Sequence, residues 1–263
     1  GPSPPPPAPD AAAPPPPPPD AAAPPPPPPP DAGASGGCTY PSQRLDLTNW
    51  KETLPIGTQG SPTEIRQPAL ASYSINPYFM VNSACTGVQF RAPTNGVTTS
   101  GSSYPRSELR EMTQSGTANA SWSTTSGTHR MFVDEAITAV PTGKRHIVAG
   151  QIHDANDDVI VIRLEYPKLF IDINGATGPT LDANYTLGKR FNFEFVVANG
   201  NIQVFYNGAT TPAYTLARSD TGCYFKAGAY TQSNCSTEST AGATCSDSDY
   251  GEVQIFDVNV THQ

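Results

Sequence analysis

Val159-Ile160-Val161-Ile162-Arg163-Leu164-Glu165-Tyr166, followed by Lys168-Leu169-Phe170-Ile171-Asp172-Ile173-Asn174, decides the fold class. Both runs are dense in β-branched and aromatic residues and too short for ordinary helices. Arg163 and Glu165 alternate with Ile162 and Leu164, the period of a half-buried strand, so the charges share one face and the aliphatics the other. Runs of the same character recur at 190–197, 202–206 and 253–260, and Asn199-Gly200 and Asn207-Gly208 are hairpin-type turn dipeptides. Only 134–140 hints at a helical period, and it is short. The expectation is an all-β fold, an antiparallel double-sheet sandwich.

The first 31 residues are of other material, holding 19 of the 30 prolines as two imperfect copies of Asp-Ala-Ala-Ala followed by a proline block. No core can form from them. As polyproline II the arm would reach roughly 90 Å as a semi-rigid spacer. Residues 1–37 are therefore expected to be a disordered proline-rich linker, and 38–263 one globular domain, since about 225 residues suit a single sandwich.

Cys38, Cys85, Cys223, Cys235 and Cys245 show no Cys-x-x-Cys zinc spacing. Cys235 and Cys245 bracket a Ser/Thr/Ala/Gly loop with no other evident means of order and are expected to pair; one further bridge falls among the other three. Such usage suits an oxidising compartment, so the chain is expected to be secreted and extracellular, with the periplasm as the alternative. It opens on Gly1-Pro2 without a basic, apolar leader, and no apolar stretch approaches the roughly 20 residues of a membrane span. Of the net charge of −8, three acids lie in the arm, leaving the globular part net acidic and a poor nucleic-acid partner. A monomer without metal or cofactor is expected.

Against that acidic background three strand-like stretches segregate polar groups to one face: Arg106, Glu108 and Arg110; Gln151 and His153; Lys226, Tyr230 and Gln232. Each has a duller explanation taken alone: cross-strand charge pairs, a hydrogen-bonded histidine, a snorkelling lysine, a core-edge tyrosine. Jointly they describe a cationic, hydrogen-bonding groove for a polyanion. Glu108, between two arginines, is expected to be ionised and salt-bridged, so the two free carboxyl groups of a glycosidase are not evident. A uronate chain offers another route: loss of the C5 proton and departure of the C4 oxygen. Arg106, Gln151 and His153 can meet the growing charge on the uronate carboxylate, and His153 and Tyr230 can move protons. Arg163 either extends the groove or pairs with Glu165 on the surface. His129, His146 and His262 read as structural or surface groups.

These segments, Arg106-Ser107-Glu108-Leu109-Arg110, Gln151-Ile152-His153 and Tyr224-Phe225-Lys226-Ala227-Gly228-Ala229-Tyr230-Thr231-Gln232, resemble the alginate lyases of polysaccharide lyase family 7. The resemblance runs from Leu45 to His262. It implies a concanavalin A-like β-jelly-roll that binds alginate, with Arg106, Gln151 and His153 neutralising the carboxylate and Tyr230 donating to the leaving oxygen. His153 would take the C5 proton of guluronate, and Tyr230 would act as base and acid on mannuronate. Glu108, Arg110, Lys226 and Gln232 would hold flanking sugars or orient these groups. Ile152, in the middle of Gln-x-His, implies acceptance of guluronate-containing blocks. The competing readings are a non-catalytic carbohydrate-binding module on a stalk and a glycoside hydrolase on the same sandwich.

Overall fold

The computed structural model describes residues 37–263, so the proline-rich arm expected over 1–37 lies, but for Gly37, outside the described residues. In chain order the elements are β1 (Trp50–Thr58), β2 (Ser61–Ile65), β3 (Phe79–Val81), β4 (Val88–Pro93), β5 (Arg106–Thr113), β6 (Ala118–Asn119), β7 (Thr128–Ala139), β8 (His146–His153), β9 (Asp158–Glu165), β10 (Lys168–Ile173), β11 (Ala176–Asp182), β12 (Arg190–Ala198), β13 (Asn201–Tyr206), β14 (Tyr214–Ala217), β15 (Tyr224–Thr231), α1 (Cys235–Thr240) and β16 (Tyr250–His262).

The strands form two antiparallel sheets packed as a jelly-roll sandwich. The front sheet runs β11-β10-β9-β8-β15-β5-β1-β2, with β6 on β5, and the back sheet runs β14-β13-β12-β7-β16-β4-β3. Alternation supplies the core: Leu109, Ile152, Ile162 and Phe225 from the front meet Val133, Phe193, Phe195 and Val253 from the back, all fully buried. Phe195 and Phe225 stack across the gap with centroids 6.5 Å apart. Each such side chain contributes about 2 kcal/mol by leaving water.

The 134–140 stretch is no helix. It lies in β7, which pairs with β12 on one side and β16 on the other, burying Val133 and Ile137. Asn199-Gly200 makes the two-residue β12–β13 hairpin, with both residues at positive φ, 52° and 71°, and Ala198 opposite Asn201. Asn207-Gly208 has the same backbone (50° and 70°) but turns the chain inside a longer loop, since Val204 next pairs with Tyr214.

Cys38 and Cys85 are bridged, which pins the start of the domain to the turn before β4; Cys235 and Cys245 form the second disulfide, and Cys223 is a buried free thiol. The segment between Cys235 and Cys245 has more order than its composition suggests. Asn234 caps α1 by accepting from Thr237 N at 2.9 Å, and Glu238 accepts the backbone N–H groups of Gly143 (2.6 Å) and Lys144 (2.9 Å). The end of β15 is thereby anchored from two directions.

The front sheet is irregular at one point beside the polar face. On β8, Ala149 and Gly150 both face the core: Ala149 is fully buried there, and a Cβ on Gly150 would fall 2.2 Å from Phe193 Cζ. The register slips here against both neighbours, β9 between Val148 and Gly150 and β15 between Ala227 and Tyr230. Gly150→Ala must displace Phe193, and urea denaturation should show a loss of about 2 kcal/mol; unchanged stability would mean that Phe193 does not fill that space.

Candidate active site

Three adjacent strands carry the polar constellation. Arg106, Glu108 and Arg110 on β5 lie opposite Tyr230, Gly228 and Lys226 on β15, and β8 flanks β15 with Gln151 beside Lys226 and His153 beside Tyr224. Leu109, Ile152, Phe225, Ala227 and Ala229 are fully buried behind them. Strand periodicity alone thus turns the polar set outward.

Glu108 is the hub. It is 0 % exposed; its Oε1 accepts from Arg106 Nη1 at 3.0 Å and pairs with Lys226 Nζ at 2.6 Å, while Oε2 accepts from Gln151 Nε2 at 2.6 Å. Burial pushes its pKa up, but the charges of Lys226 and Arg106 outweigh burial and hold the carboxyl below its ordinary range. Lys226 is pushed down to about 8, by burial first and then by Arg106, with Glu108 opposing. The second clamp on Glu108 is therefore Lys226 and not Arg110, which differs from the sequence expectation. Arg110 lies 3.8 Å over the Tyr224 ring and donates to the carbonyl oxygens of Glu111 and Ala120. Its fork is satisfied by the carbonyl of the next residue together with a ring face and a second carbonyl that the linear sequence does not place beside it.

Behind this layer Glu52 is completely buried, and burial raises its pKa well above the ordinary carboxyl value. Ser107 Oγ lies 2.7 Å from Glu52 Oε1 and 2.8 Å from the Tyr78 carbonyl oxygen, and its one hydrogen cannot serve both. A protonated Glu52 donating to Ser107, which donates to Tyr78, satisfies all three. Nothing in the sequence pattern singled out Glu52.

Tyr230 lies under the Arg106 guanidinium, 3.9 Å from ring centroid to Cζ, with its hydroxyl 2.5 Å from Ser102 Oγ. His153 places Nδ1 2.7 Å from the Asp154 carbonyl oxygen and stacks on Tyr224 at 5.1 Å. A carbonyl can only accept, so the proton sits on Nδ1 and Nε2 keeps a free lone pair. Burial lowers the pKa of His153; the Asp154 carbonyl opposes this, and Lys226 and Arg106 add to the lowering. The ring is neutral at neutral pH, as a base must be.

Of these groups, Gln151 and Tyr230 line a cleft of about 380 Å³, together with Arg163, Gln232, Asp158, Asp172, Ser102 and Tyr104. Arg163 both extends the cleft and pairs on the surface: Nη1 donates to Gln232 Oε1 at 3.0 Å and Nε to Glu165 Oε1 at 2.9 Å. His146, read from sequence as structural, sits 3.3 Å from Arg163 Nη2. His129 and His262 sit elsewhere, joined through their Nδ1 atoms at 2.7 Å, with His262 Nε2 on the buried Glu111 and Trp122 stacked on His129. Among the described residues no group of three or more His, Cys, Asp or Glu is arranged to hold a metal ion.

Residues 45–262 match the model of the family described as alginate lyase. A crystal structure of the alginate lyase from Corynebacterium sp. is 52 % identical, with a TM-score of 0.82 over 86 % of this chain and 99 % of that one. AlgAT5, an alginate lyase from polysaccharide lyase family 7, is 50 % identical, with a TM-score of 0.80 over 86 % of this chain and 100 % of that one. A family 7 alginate lyase, A1-II', was crystallised as a His-to-Asn, Tyr-to-Phe double variant with its substrate GGMG; it is 27 % identical, with a TM-score of 0.69 over 85 % of this chain and 97 % of that one. The chain belongs to the alginate lyase family and is a polysaccharide lyase.

Proposed function

We propose that this protein is a secreted, endolytic alginate lyase that cleaves the 4-O-glycosidic bond by β-elimination and prefers guluronate-containing blocks. The observation that carries the chemistry is that Arg106, Gln151, His153 and Tyr230 stand on three adjacent strands of one sheet, Gln151 and Tyr230 lining the cleft, with His153 Nε2 unprotonated and Glu108 fully engaged by its neighbours. A carboxylate tied to two cations and an amide is no general acid, which disfavours reading Glu108 as half of a hydrolytic pair.

In this reading a uronate carboxylate docks against Arg106, Gln151 and His153. Only one of the two cations can be neutralised by Glu108, so a positive surplus faces the sugar. His153 Nε2 takes the C5 proton of guluronate. The electron pair of that C–H bond becomes the C4–C5 double bond, the C4–O bond breaks, and the Tyr230 hydroxyl gives its proton to the leaving oxygen. On mannuronate Tyr230 serves as both base and acid. A lyase of this family crystallised with GGMG after replacement of a histidine and a tyrosine supports these two residue types as the proton carriers. Two disulfides support a location outside the cytosol.

The test is a time course of ultraviolet absorbance and product length on polyguluronate, polymannuronate and mixed alginate. Elimination creates a conjugated double bond; absorbance and a rapid fall in chain length should be strongest on guluronate-containing substrates, and activity confined to polymannuronate refutes the preference. Tyr230→Phe should lower kcat at least 10²-fold while alginate binding persists; wild-type turnover would remove Tyr230 from the mechanism. Because burial lowers the pKa of His153, the acid limb of kcat/KM should fall below the free histidine value of about 6.5, and above pH 8 the loss of charge on Lys226 should weaken polymer binding. Glu108→Gln leaves Arg106 and Lys226 facing each other without their counter-ion, and urea denaturation should show a loss of about 3 kcal/mol.

A further inference from the structure

The mechanism leaves one wall of the cleft unused. Asp158 at the start of β9 and Asp172 on β10 line the same cavity as Tyr230, Gln151 and Arg163. Carboxylates are an odd lining for a groove that takes a polyanion. The same cavity holds a second unexplained group: Gln232 is only 7 % exposed, its Oε1 is occupied by Arg163, and its Nε2 has no hydrogen-bond partner among the described residues. A buried amide N–H without an acceptor is costly by about 1–3 kcal/mol, and because Gln232 lines the cleft, an acceptor brought in there with a small shift of the side chain would relieve that cost. One side of this stretch lacks an acceptor while the other supplies acceptors alone.

A uronate unit has the matching asymmetry, with a carboxylate on C5 and hydroxyl donors on C2 and C3. We propose that Asp158 and Asp172 form the acceptor wall of a sugar subsite, binding one uronate unit through its hydroxyl groups and turning its carboxylate toward Gln232 Nε2 and Arg163. The subsite thereby fixes which way round a uronate enters, because the reversed sugar would set its carboxylate against two others. This rests on the lyase reading and adds to it a specificity-determining pair, Asp158 and Asp172.

The charge state of the wall is set by its neighbours. Burial, then the Asp157 side chain beside it, then Asp172 on β10, push Asp158 up to about 6, while His153 is its register partner on β8 and Arg163 lies on its own strand. Below pH 6 Asp158 is neutral and accepts a hydroxyl without repelling the polymer. Above pH 6 it still accepts but adds a negative charge. The KM of the wild type should therefore rise as pH goes from 5 to 7; His153 loses charge in the same range, and the part of the rise that belongs to Asp158 is the part that Asp158→Asn removes.

The experiment measures kcat and KM from pH 5 to 8, by absorbance, on guluronate oligomers of increasing length, for wild type, Asp158→Asn and Asp158→Ala. Asp158→Ala should raise KM about 3- to 10-fold with kcat within twofold, and only for oligomers long enough to fill the subsite. Asp158→Asn keeps an acceptor oxygen without the charge, so it should restore KM to near the wild-type value at pH 5 and remove its rise toward pH 7. Asp172→Asn should change KM in the same length-dependent way, with a thermal melt to exclude loss of the turn, since Asp172 also accepts from Gly175 N at 2.7 Å. The proposal is overturned if Asp158→Ala leaves KM unchanged at every length, or if Asn and Ala behave alike. It is also overturned if the wild type forms reducing ends in excess of its absorbance and either variant removes that excess, which would assign the pair to hydrolysis. A wild type that produces no absorbance on any alginate defeats the lyase reading itself, a result distinct from all of these.

Discussion

A carboxylate with no exposure to water is tolerable only where cations and donors surround it, and at Glu108 those come from Arg106 on its own strand, Lys226 on β15 and Gln151 on β8. Three strands must therefore be neighbours and in register for the fold to hold this charge. A slip of one residue in β15 would turn Lys226 into the core and Phe225 out of it. The same contacts keep Arg106 and Gln151 oriented when no sugar is present, so ordering of the site is completed during folding and not on binding. The requirement that stabilises the central front sheet is also what prepares it to meet a uronate.

The irregularity at Gly150 on β8 shows how the cleft acquires its length. Beyond Gly150 the outward face of β8 passes from Gln151 and His153 to Val148 and His146, because Ala149 and Gly150 both turn inward where Phe193 fills the gap. The slip shifts β9 relative to β15, and Arg163 reaches Gln232 across the end of β8. Tyr230 and Gln151 thus line one cleft with Asp158 and Asp172 although they belong to different registers of the sheet. Anchoring of β15 by α1 and the Cys235–Cys245 bridge holds Gln232 at the far end of it.

The fold class was legible because a sandwich imposes a period of two, and runs such as Val159 to Glu165 or Arg190 to Val197 carry it over enough residues to exclude a helix. The stretch at 134–140 misled because Asp134 and Glu135 interrupt alternation; Glu135 is a buried carboxyl whose pKa burial raises well above the ordinary value, so an acid stands where the pattern calls for an aliphatic. Within the site, alternation located Arg106, Glu108, Gln151, His153, Lys226 and Tyr230, since along each of these stretches the intervening residues, Leu109, Ile152, Phe225, Ala227 and Ala229 among them, stay buried. It failed at the bulge: counting back from Gln151 by twos reaches Ala149 and Ile147, both buried, and misses His146. Ser102, Asp158 and Asp172 were invisible for a related reason. Ser102 lies in a loop and the two aspartates near strand ends, where their direction is set by tertiary packing and no period applies.

Ser102 carries one further implication. Its hydroxyl already occupies the hydrogen-bonding position at the phenol of Tyr230, 2.5 Å away, and both reach into the cleft. The resting protein thus supplies its own stand-in for the oxygen that a sugar would bring. A glycosidic oxygen, which can only accept, would take the place of a serine oxygen that can also accept, so the phenol would keep a hydrogen-bond partner throughout. The loop that bears Ser102 would then act as a gauge: on the proposed mechanism, whatever displaces it must present an oxygen at that same point to receive the phenol proton.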